Sequence, residues 1–411
     1  MKTCLIFFAV SVATITACTR NADFTVTPAK PRPGDTVSVS FRPSPPLDSL
    51  PEWEAVAFLF TDEEAVAQEI ALRKEASGWT GRVVTQANTQ SFAIRFFEAK
   101  VPYREQYARP AEHPAEVRYT LLYDKGGKPV SGAHGSLAAG LHSWAGILGL
   151  EPPENAQKSR RDLLMRFLEQ EFAAYPKNKP KFASLHYAVA KASGQSLAKL
   201  RPEANRMAQK LGTDLPEKEL LEMGSVFDVL QDETKSQYYR HLALKKFPKG
   251  EQAQQVNMEA VYAEPDLTKR EISLEHLQAD FPDYEGIDWR YYDLLMDLYK
   301  AGRWADFRRI AARRPFDQAL SSAYQEIALE LAKQGRDFET AAEMARQAAE
   351  YDKGNVTNPR DRKSPYMPAR EWAEERQLTY AFSAGTYAWV LYKQGKYAEA
   401  SAWMGESMAL N

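Results

Sequence analysis

The chain offers few residue types at spacings that do chemistry. Its two cysteines, Cys4 and Cys18, both stand near the start, and no thiol follows. A thiolate nucleophile, a CxxC redox pair and a cysteine zinc site are therefore excluded from everything after Cys18. The histidines His113, His134, His142, His186, His241 and His276 are spread out, with no HExxH or other ligand spacing, so no metal site is expected. Ser196-Leu197-Ala198-Lys199 has the SxxK form in which a lysine activates a serine, but its SDN and KTG companions are missing. Ser196 reads instead as the cap of a following helix. Gly127 to Gly132 has the glycine spacing of a phosphate loop without the Gly-Lys-Ser/Thr that would complete it, and reads as a hairpin turn. Asp283, Glu285 and Asp288 depart from the order of a calcium loop and read as the acidic start of a helix. Asp and Glu together number 55, so a carboxylate pair across a cleft is available in principle, yet nothing singles one out. The chain is therefore expected to have no catalytic residue and no cofactor, and to work by binding rather than as an enzyme.

The position with chemistry of its own is Cys18. Met1-Lys2-Thr3 gives a short positive start, and Cys4 to Thr16 follows as an uncharged apolar stretch of signal-peptide length, too short to span a bilayer comfortably. Ile15-Thr16-Ala17-Cys18 then resembles the lipobox of bacterial lipoproteins, an aliphatic residue and two small ones before an obligatory cysteine. That resemblance implies a signal peptide over residues 1–17, a diacylglyceryl group on the Cys18 sulfur, and a tether over 18–22. Two or more acyl chains, at about 0.8 kcal/mol per buried methylene, make such an anchor stable. Thr19, rather than aspartate, after the cysteine favours the outer membrane of the cell envelope.

These 411 residues exceed what one hydrophobic core usually organises, so two or three domains are expected. Hydrophobic residues at 44% and charged ones at 26% mark the body as globular rather than disordered or polytopic. Lys plus Arg at 53 against Asp plus Glu at 55 leaves no basic surplus to attract phosphates, which argues against nucleic acid as a partner.

Residues 23–145 carry the period of strands. Phe24 to Pro28 alternates, Pro33-Gly34-Asp35 turns, and Thr36 to Phe41 alternates again with one apolar face. Further strand-like runs are Ala55 to Phe60, Gln68 to Leu72, Trp79 to Thr85, Phe92 to Phe97 and Val117 to Tyr123, with Gly126-Gly127 turning before Pro129-Val130. About seven short strands with regular turns predict an all-β, immunoglobulin-like sandwich. Trp53, Trp79, Phe96 and Phe97 are candidates for a glycan platform, but alternating aromatics in strands read first as one face of the core.

Residues 150–411 carry the period of helices, as in Leu163-Leu164-Phe167-Leu168-Phe172 and Leu294-Leu295-Leu298-Tyr299. Breakers recur at Tyr175-Pro176, Phe247-Pro248, Phe281-Pro282 and Arg314-Pro315, the prolines lying 72, 34 and 33 residues apart. A period near 34 is that of tetratricopeptide repeats, in which helix pairs stack on one another. Tyr392 to Ala400 matches the turn of that repeat: Gly395 ends one helix, Tyr397 packs back, and Ala400 admits the neighbour. Gly335, Phe338 and Ala341 repeat the pattern, and Gly302 with Trp304 gives a third copy. The last copy is expected to expose an apolar flank unless something covers it. Tyr351 to Arg370, with glycine, asparagine, three prolines and several cations, reads as a long loop. The fold expected is a β-sandwich followed by an all-α tetratricopeptide-like array, and the partner a protein or peptide in the envelope held on the array's concave face.

The lipobox, the sandwich ending in Leu122 to Ala133, and helical repeats containing Phe247-Pro248-Lys249-Gly250 together resemble the layout of lipid-anchored thiol–disulfide oxidoreductase lipoproteins. In that family a sandwich and a tetratricopeptide region precede a thioredoxin-like domain. The resemblance implies layout and envelope location but carries no redox activity to any residue here, because no CxxC is present. The alternatives to a protein-binding scaffold are the non-catalytic front part of such a redox lipoprotein, or a glycan-binding envelope lipoprotein.

Overall fold

A computed structural model describes residues 23–43, 50–62, 64–76, 78–103, 116–143 and 157–410. The expected signal peptide, Cys18 and the expected 18–22 tether lie outside the described residues, as does His113. The expected division between the two regions, at 145–150, falls there too.

Eight strands form two antiparallel four-stranded sheets: β1 (Phe24–Thr27), β2 (Thr36–Phe41), β3 (Trp53–Phe60), β4 (Ala65–Ile70), β5 (Arg73–Glu75), β6 (Gly78–Val84), β7 (Ser91–Glu98) and β8 (Glu116–Leu121). One sheet, the outer sheet, runs β1-β2-β6-β5, and the other, the central sheet, runs β4-β3-β7-β8. Val37, Val39, Phe41 and Val83 of the outer sheet meet Ala55, Ala57, Leu59, Phe92, Ile94 and Phe96 of the central sheet. Phe41 stacks on Phe96 with ring centroids 3.9 Å apart. Trp53, Phe96 and Phe97 are buried, and Trp79 packs against the same cluster, so these aromatics serve the core rather than a glycan platform.

Three details of the strands depart from the sequence reading, the first being β5, which the sequence did not mark. The strand expected at Gln68 to Leu72 begins at Ala65, because the Thr61 hydroxyl accepts from the Glu64 amide in a tight turn that pairs Phe60 with Ala65 at once. Pro129-Val130 forms no strand; only Tyr123 and Pro129 make an isolated bridge, closed by the Asp124 carboxylate, which accepts from the amides of Gly126 and Lys128. That turn is the hairpin expected of Gly127 to Gly132.

The central sheet is apolar on both faces. Val56, Phe58, Phe60, Ala93 and Phe97 point away from the outer sheet and are covered by helices α1 (Ala133–Ser143) and α2 (Gln157–Ala174), through Leu137, Leu141, Leu164 and Leu168, and by Phe182 and Val189. Helix α1 falls within the range assigned to the sandwich, and it packs close because Gly140 has no side chain: a Cβ there would lie 2.4 Å from the Phe60 ring.

From α3 (Ala183–Ala192) the chain becomes a succession of helices: α4 (Leu197–Leu211), α5 (Glu217–Val229), α6 (Glu233–Lys246), α7 (Glu251–Ala263), α8 (Leu267–Asp280), α9 (Ile287–Lys300), α10 (Trp304–Ala311), α11 (Gln318–Lys333), α12 (Phe338–Thr357), α13 (Ala369–Lys393) and α14 (Tyr397–Met408). The breakers at Pro176, Pro248, Pro282 and Pro315 each lie just beyond a helix end, where the missing amide costs nothing. The loop expected over Tyr351 to Arg370 is shorter than its composition suggests. Helix α12 runs on to Thr357, with Tyr351, Asp352 and Asn355 buried, and only 358–368 connects it to α13.

Helix ends are joined in two recurrent ways. After α3, α5, α9, α11 and α13 the chain makes the same left-handed turn, at Gly194, Gln231, Gly302, Gly335 and Gly395. In each, the amide one residue further on donates to the carbonyl five residues before it, as Arg303 to Leu298, Arg336 to Leu331 and Lys396 to Leu391 do, satisfying orphan carbonyls at the helix end. Several helix starts are capped by a carboxylate from another helix. Buried Glu171 accepts from the Gly132, His134 and Gly135 amides at 2.8, 3.1 and 3.3 Å. Glu222 accepts from Ser184 at 2.7 Å, and Glu217 from Gln252 at 2.9 Å. A negative group at each helix start offsets the exposed amide dipoles there.

The array also returns to the sandwich. The Ala67 amide of edge strand β4 donates to the Pro365 carbonyl at 2.9 Å. Arg370 bonds Glu54 and the Val101 carbonyl, and its amide donates to Glu69. Glu374 accepts from the Tyr103 amide at 2.9 Å. This contact occupies part of the free edge of β4, which would otherwise be open to strand pairing.

Gln231 occupies the turn position that glycine holds elsewhere, with φ of 57°. Replacing it by glycine is expected to raise stability by about 1 kcal/mol, and Gly395→Ala, which meets no neighbouring atom, to lower it by about the same amount. The midpoint of urea unfolding measures both; two neutral substitutions would show that the left-handed turn constrains nothing.

Candidate functional site

The last three helix pairs, α9 with α10, α11 with α12, and α13 with α14, stack so that α9 lies against α11 and α11 against α13. Their shared apolar interior runs from Leu294, Leu295 and Leu298 through Ile327 and Leu331 to Val390 and Leu391. The residues singled out by the sequence belong to this interior or to its turns. Gly302, Gly335 and Gly395 adopt φ of 70°, 68° and 78°. Ala341 and Ala400 are buried, and Trp304 and Phe338 pack on the cluster from its edge, Trp304 edge-on to Tyr299 at 5.4 Å. Tyr397 does not pack back as expected: it is 65% exposed, with its ring 5.5 Å from that of Tyr392, itself exposed. Tyr392, Met404 and Met408 are exposed on the same terminal pair.

Two hollows open on either side of α11, one against α7, α8 and α9 and the other against α13 and α14. The first, of about 330 Å³, is lined by Tyr262, Arg270, Asp293, Asp297, Lys300 and Glu326, with Tyr292 and Met296. The Arg290 guanidinium stacks 4.6 Å over the Tyr262 ring and bonds Asp293 at 3.1 Å, while Arg270 bonds Asp297. Tyr292 donates to Glu326, and burial, reinforced by that carboxylate, pushes its phenol up to about 12. The second hollow, of about 430 Å³, is apolar: Leu329 of α11, Leu378, Phe382, Gly385 and Trp389 of α13, and Met404 of α14. Phe382 is 60% exposed, which for a phenylalanine on an ordered helix means wetted apolar area that a ligand would remove from water. Helix α11 supplies Glu326 to one hollow and Leu329, three residues on, to the other, so the two form one groove with a charged and an oily end.

None of these groove residues was singled out by the sequence, because the repeat signature marks the residues that pack helices together. A signal was present in α13, whose apolar side chains lie all round it: Tyr380, Ala384, Tyr387 and Val390 bury one side, Trp389 packs half-buried on the shared interior, and Phe382 is left exposed beside half-buried Leu378.

The other sequence candidates for chemistry are structural. Ser196 stands at the start of α4 without a capping bond from its hydroxyl. Asp288 pairs with Arg314 and Glu285 with Arg362. His134, His142 and His186 are each held below the usual imidazole value by burial. Among the described residues no group of three His, Cys, Asp or Glu side chains is placed to hold a metal ion. Neither the protein-family models nor the curated proteins compared with this chain match it.

Behind the groove, α12 ties its two walls together. Asp352 is buried between α11 and α13, accepts from the Ser321 hydroxyl at 3.1 Å, and is also approached by Ser383. Burial raises its carboxyl from 3.8 to about 6, with the like charge of Asp361 adding to the rise and the two hydroxyls opposing it. The folded state therefore holds this proton more tightly than the unfolded chain does. That contribution to stability is full below 3.8 and is lost as the pH climbs through about 6. Asp352→Asn should be more stable than the parent above pH 6, by roughly 1–3 kcal/mol, with the difference vanishing near pH 4. Urea unfolding at the two pH values measures it, and a pH-independent difference would mean that the carboxyl is ionised throughout.

Proposed function

We propose that this protein is an envelope lipoprotein, anchored through Cys18 and most consistent with the outer membrane, that works as a non-catalytic scaffold: its tetratricopeptide-like array holds a protein or peptide in the groove along α9, α11 and α13. The observation that carries this reading is the exposed Phe382 and Met404, with half-buried Leu378 and Trp389, around one hollow beside a second lined by Asp293, Asp297, Glu326, Arg270 and Lys300. Apolar anchors in a concave, partly polar groove are what peptide recognition by helical repeats uses, because buried area supplies affinity and the flanking charges select the partner. The recurrence of the same left-handed turn at Gly302, Gly335 and Gly395 supports the repeat assignment. The immunoglobulin-like sandwich would space the array from the anchor.

The anchor is tested on the chain recovered from membranes of a bacterial host. Its mass should correspond to residues 18–411 plus acyl chains, and Cys18→Ala should abolish that mass; an unmodified Cys18 would remove the lipid from this account. The groove is tested by capture from envelope extracts with the intact protein and with the Phe382→Ser, Met404→Ser double variant, both exposed positions, as paired baits. Proteins retained by the first should be depleted at least about tenfold with the second, as expected for loss of two apolar anchors. Equal recovery on both baits would sink the groove as the binding site.

A further inference from the structure

The layers of the fold have an orientation. Helices cover the central sheet on the side away from the outer sheet, so the array and the open face of the outer sheet stand on opposite sides of the molecule. The chain enters the described structure at Asp23, one residue before β1, an edge strand of the outer sheet. Five peptide steps separate Cys18 from Asp23, and however they are arranged they reach at most about 18 Å.

The open face is built from two rows that cross the strands. Thr25, Ser40, Thr80 and Arg73 stand opposite one another on β1, β2, β6 and β5, and Thr27, Ser38 and Arg82 form the next row. Their neighbours along each strand, such as Val26 and Val39, point inward to the core. The rows line a hollow of about 500 Å³. Thr80 donates to Glu75, the acidic group of this face, and Lys74 lies over the Trp79 ring at its margin. Arg73 and Arg82 are exposed, and among the described residues neither guanidinium has an ion-pair or hydrogen-bond partner.

We infer that this face rests on the anionic phospholipid headgroups of the leaflet that holds the anchor, with Arg73 and Arg82 meeting phosphates and the hydroxyl rows meeting the headgroup layer, so that the array points away from the membrane. The inference rests on the lipid-anchored reading above. Short reach from Cys18, an uncovered polar face at the point of entry, and two unpaired guanidiniums against the single carboxylate lining its hollow agree on the same surface. Each basic residue near an anionic bilayer adds about 1 kcal/mol of attraction, so the pair gives weak, salt-sensitive binding to a free chain and a strong orienting bias to a tethered one.

The test uses the chain from Thr19 onward, without lipid, so its outcome is separate from whether Cys18 is acylated. It is sedimented with vesicles of phosphatidylcholine alone and of phosphatidylcholine mixed with an equal part of phosphatidylglycerol. Binding is expected only to the anionic vesicles, and should fall as salt is raised. Arg73→Glu with Arg82→Glu should weaken it at least about tenfold with an unchanged thermal melt, whereas Lys245→Glu with Lys333→Glu, exposed cations on the array, should leave it unchanged. Because no cysteine follows Cys18, Ser38→Cys and Glu399→Cys each give a single labelling site, and only the label at 38 should be quenched by a headgroup quencher. Equal binding to neutral vesicles, no loss on reversing Arg73 and Arg82, or equal quenching at both labels would overturn the inference.

Discussion

The structure depends on two strands that have no polar side. Strand β3 reads Trp-Glu-Ala-Val-Ala-Phe-Leu-Phe and β7 reads Ser-Phe-Ala-Ile-Arg-Phe-Phe-Glu, and almost every side chain in both is buried. A sheet centred on such strands must be covered twice. The outer sheet covers one face, and the other is left to α1, α2 and the start of α3, so the helical region begins as the second lid of the sandwich. At roughly 25 cal/mol per Å² of apolar surface, separating those helices from the sheet would expose several phenylalanines at a cost comparable to the net stability of a domain.

Once the first helices are fixed on the sheet, the later ones are joined by short-range rules. The left-handed turn reverses the chain with a fixed pair of backbone bonds, and the carboxylates of Glu171, Glu222 and Glu217 bridge one helix to the start of another. The second device sets geometry as well as energy. Glu217 sits where a Cβ on residue 250 would be, 2.0 Å from its ideal position, so glycine and carboxylate specify one approach between α5 and α7. Direction therefore passes along the array through contacts between elements rather than through helix propensity.

Much of this was legible in the sequence, for physical reasons that also explain what was not. Strands with alternating side chains, such as β2, and turns marked by Gly302, Gly335 and Gly395 carry their signal locally, and the sandwich followed by a helical array could be read from them. Helix α1 could not, because Ala-His-Gly-Ser-Leu-Ala-Ala-Gly-Leu-His-Ser is buried on nearly all sides and small where it meets Phe60, leaving neither an amphipathic stripe nor strong propensity. Strand β5, Arg-Lys-Glu, exists only because β6 offers it a partner. The groove was hidden for a related reason: Phe382 looks like a core residue until the packing of α13 shows which of its sides is already filled.

Helix α13 has 25 residues and is about 37 Å long. Its first turns carry Arg370 and Glu374, bonded to the sandwich, and its later turns carry Phe382 and Trp389 in the groove. A continuous helix bends little over that length, so it acts as a beam with one end bolted to the sheet and the other forming a wall of the groove. A pull on anything seated against Trp389 would be borne along the beam to Glu54 and Tyr103, by a route that bypasses every helix from α3 to α12. The pile of helix pairs is thus loaded as a closed frame, not as a chain hanging from its first link.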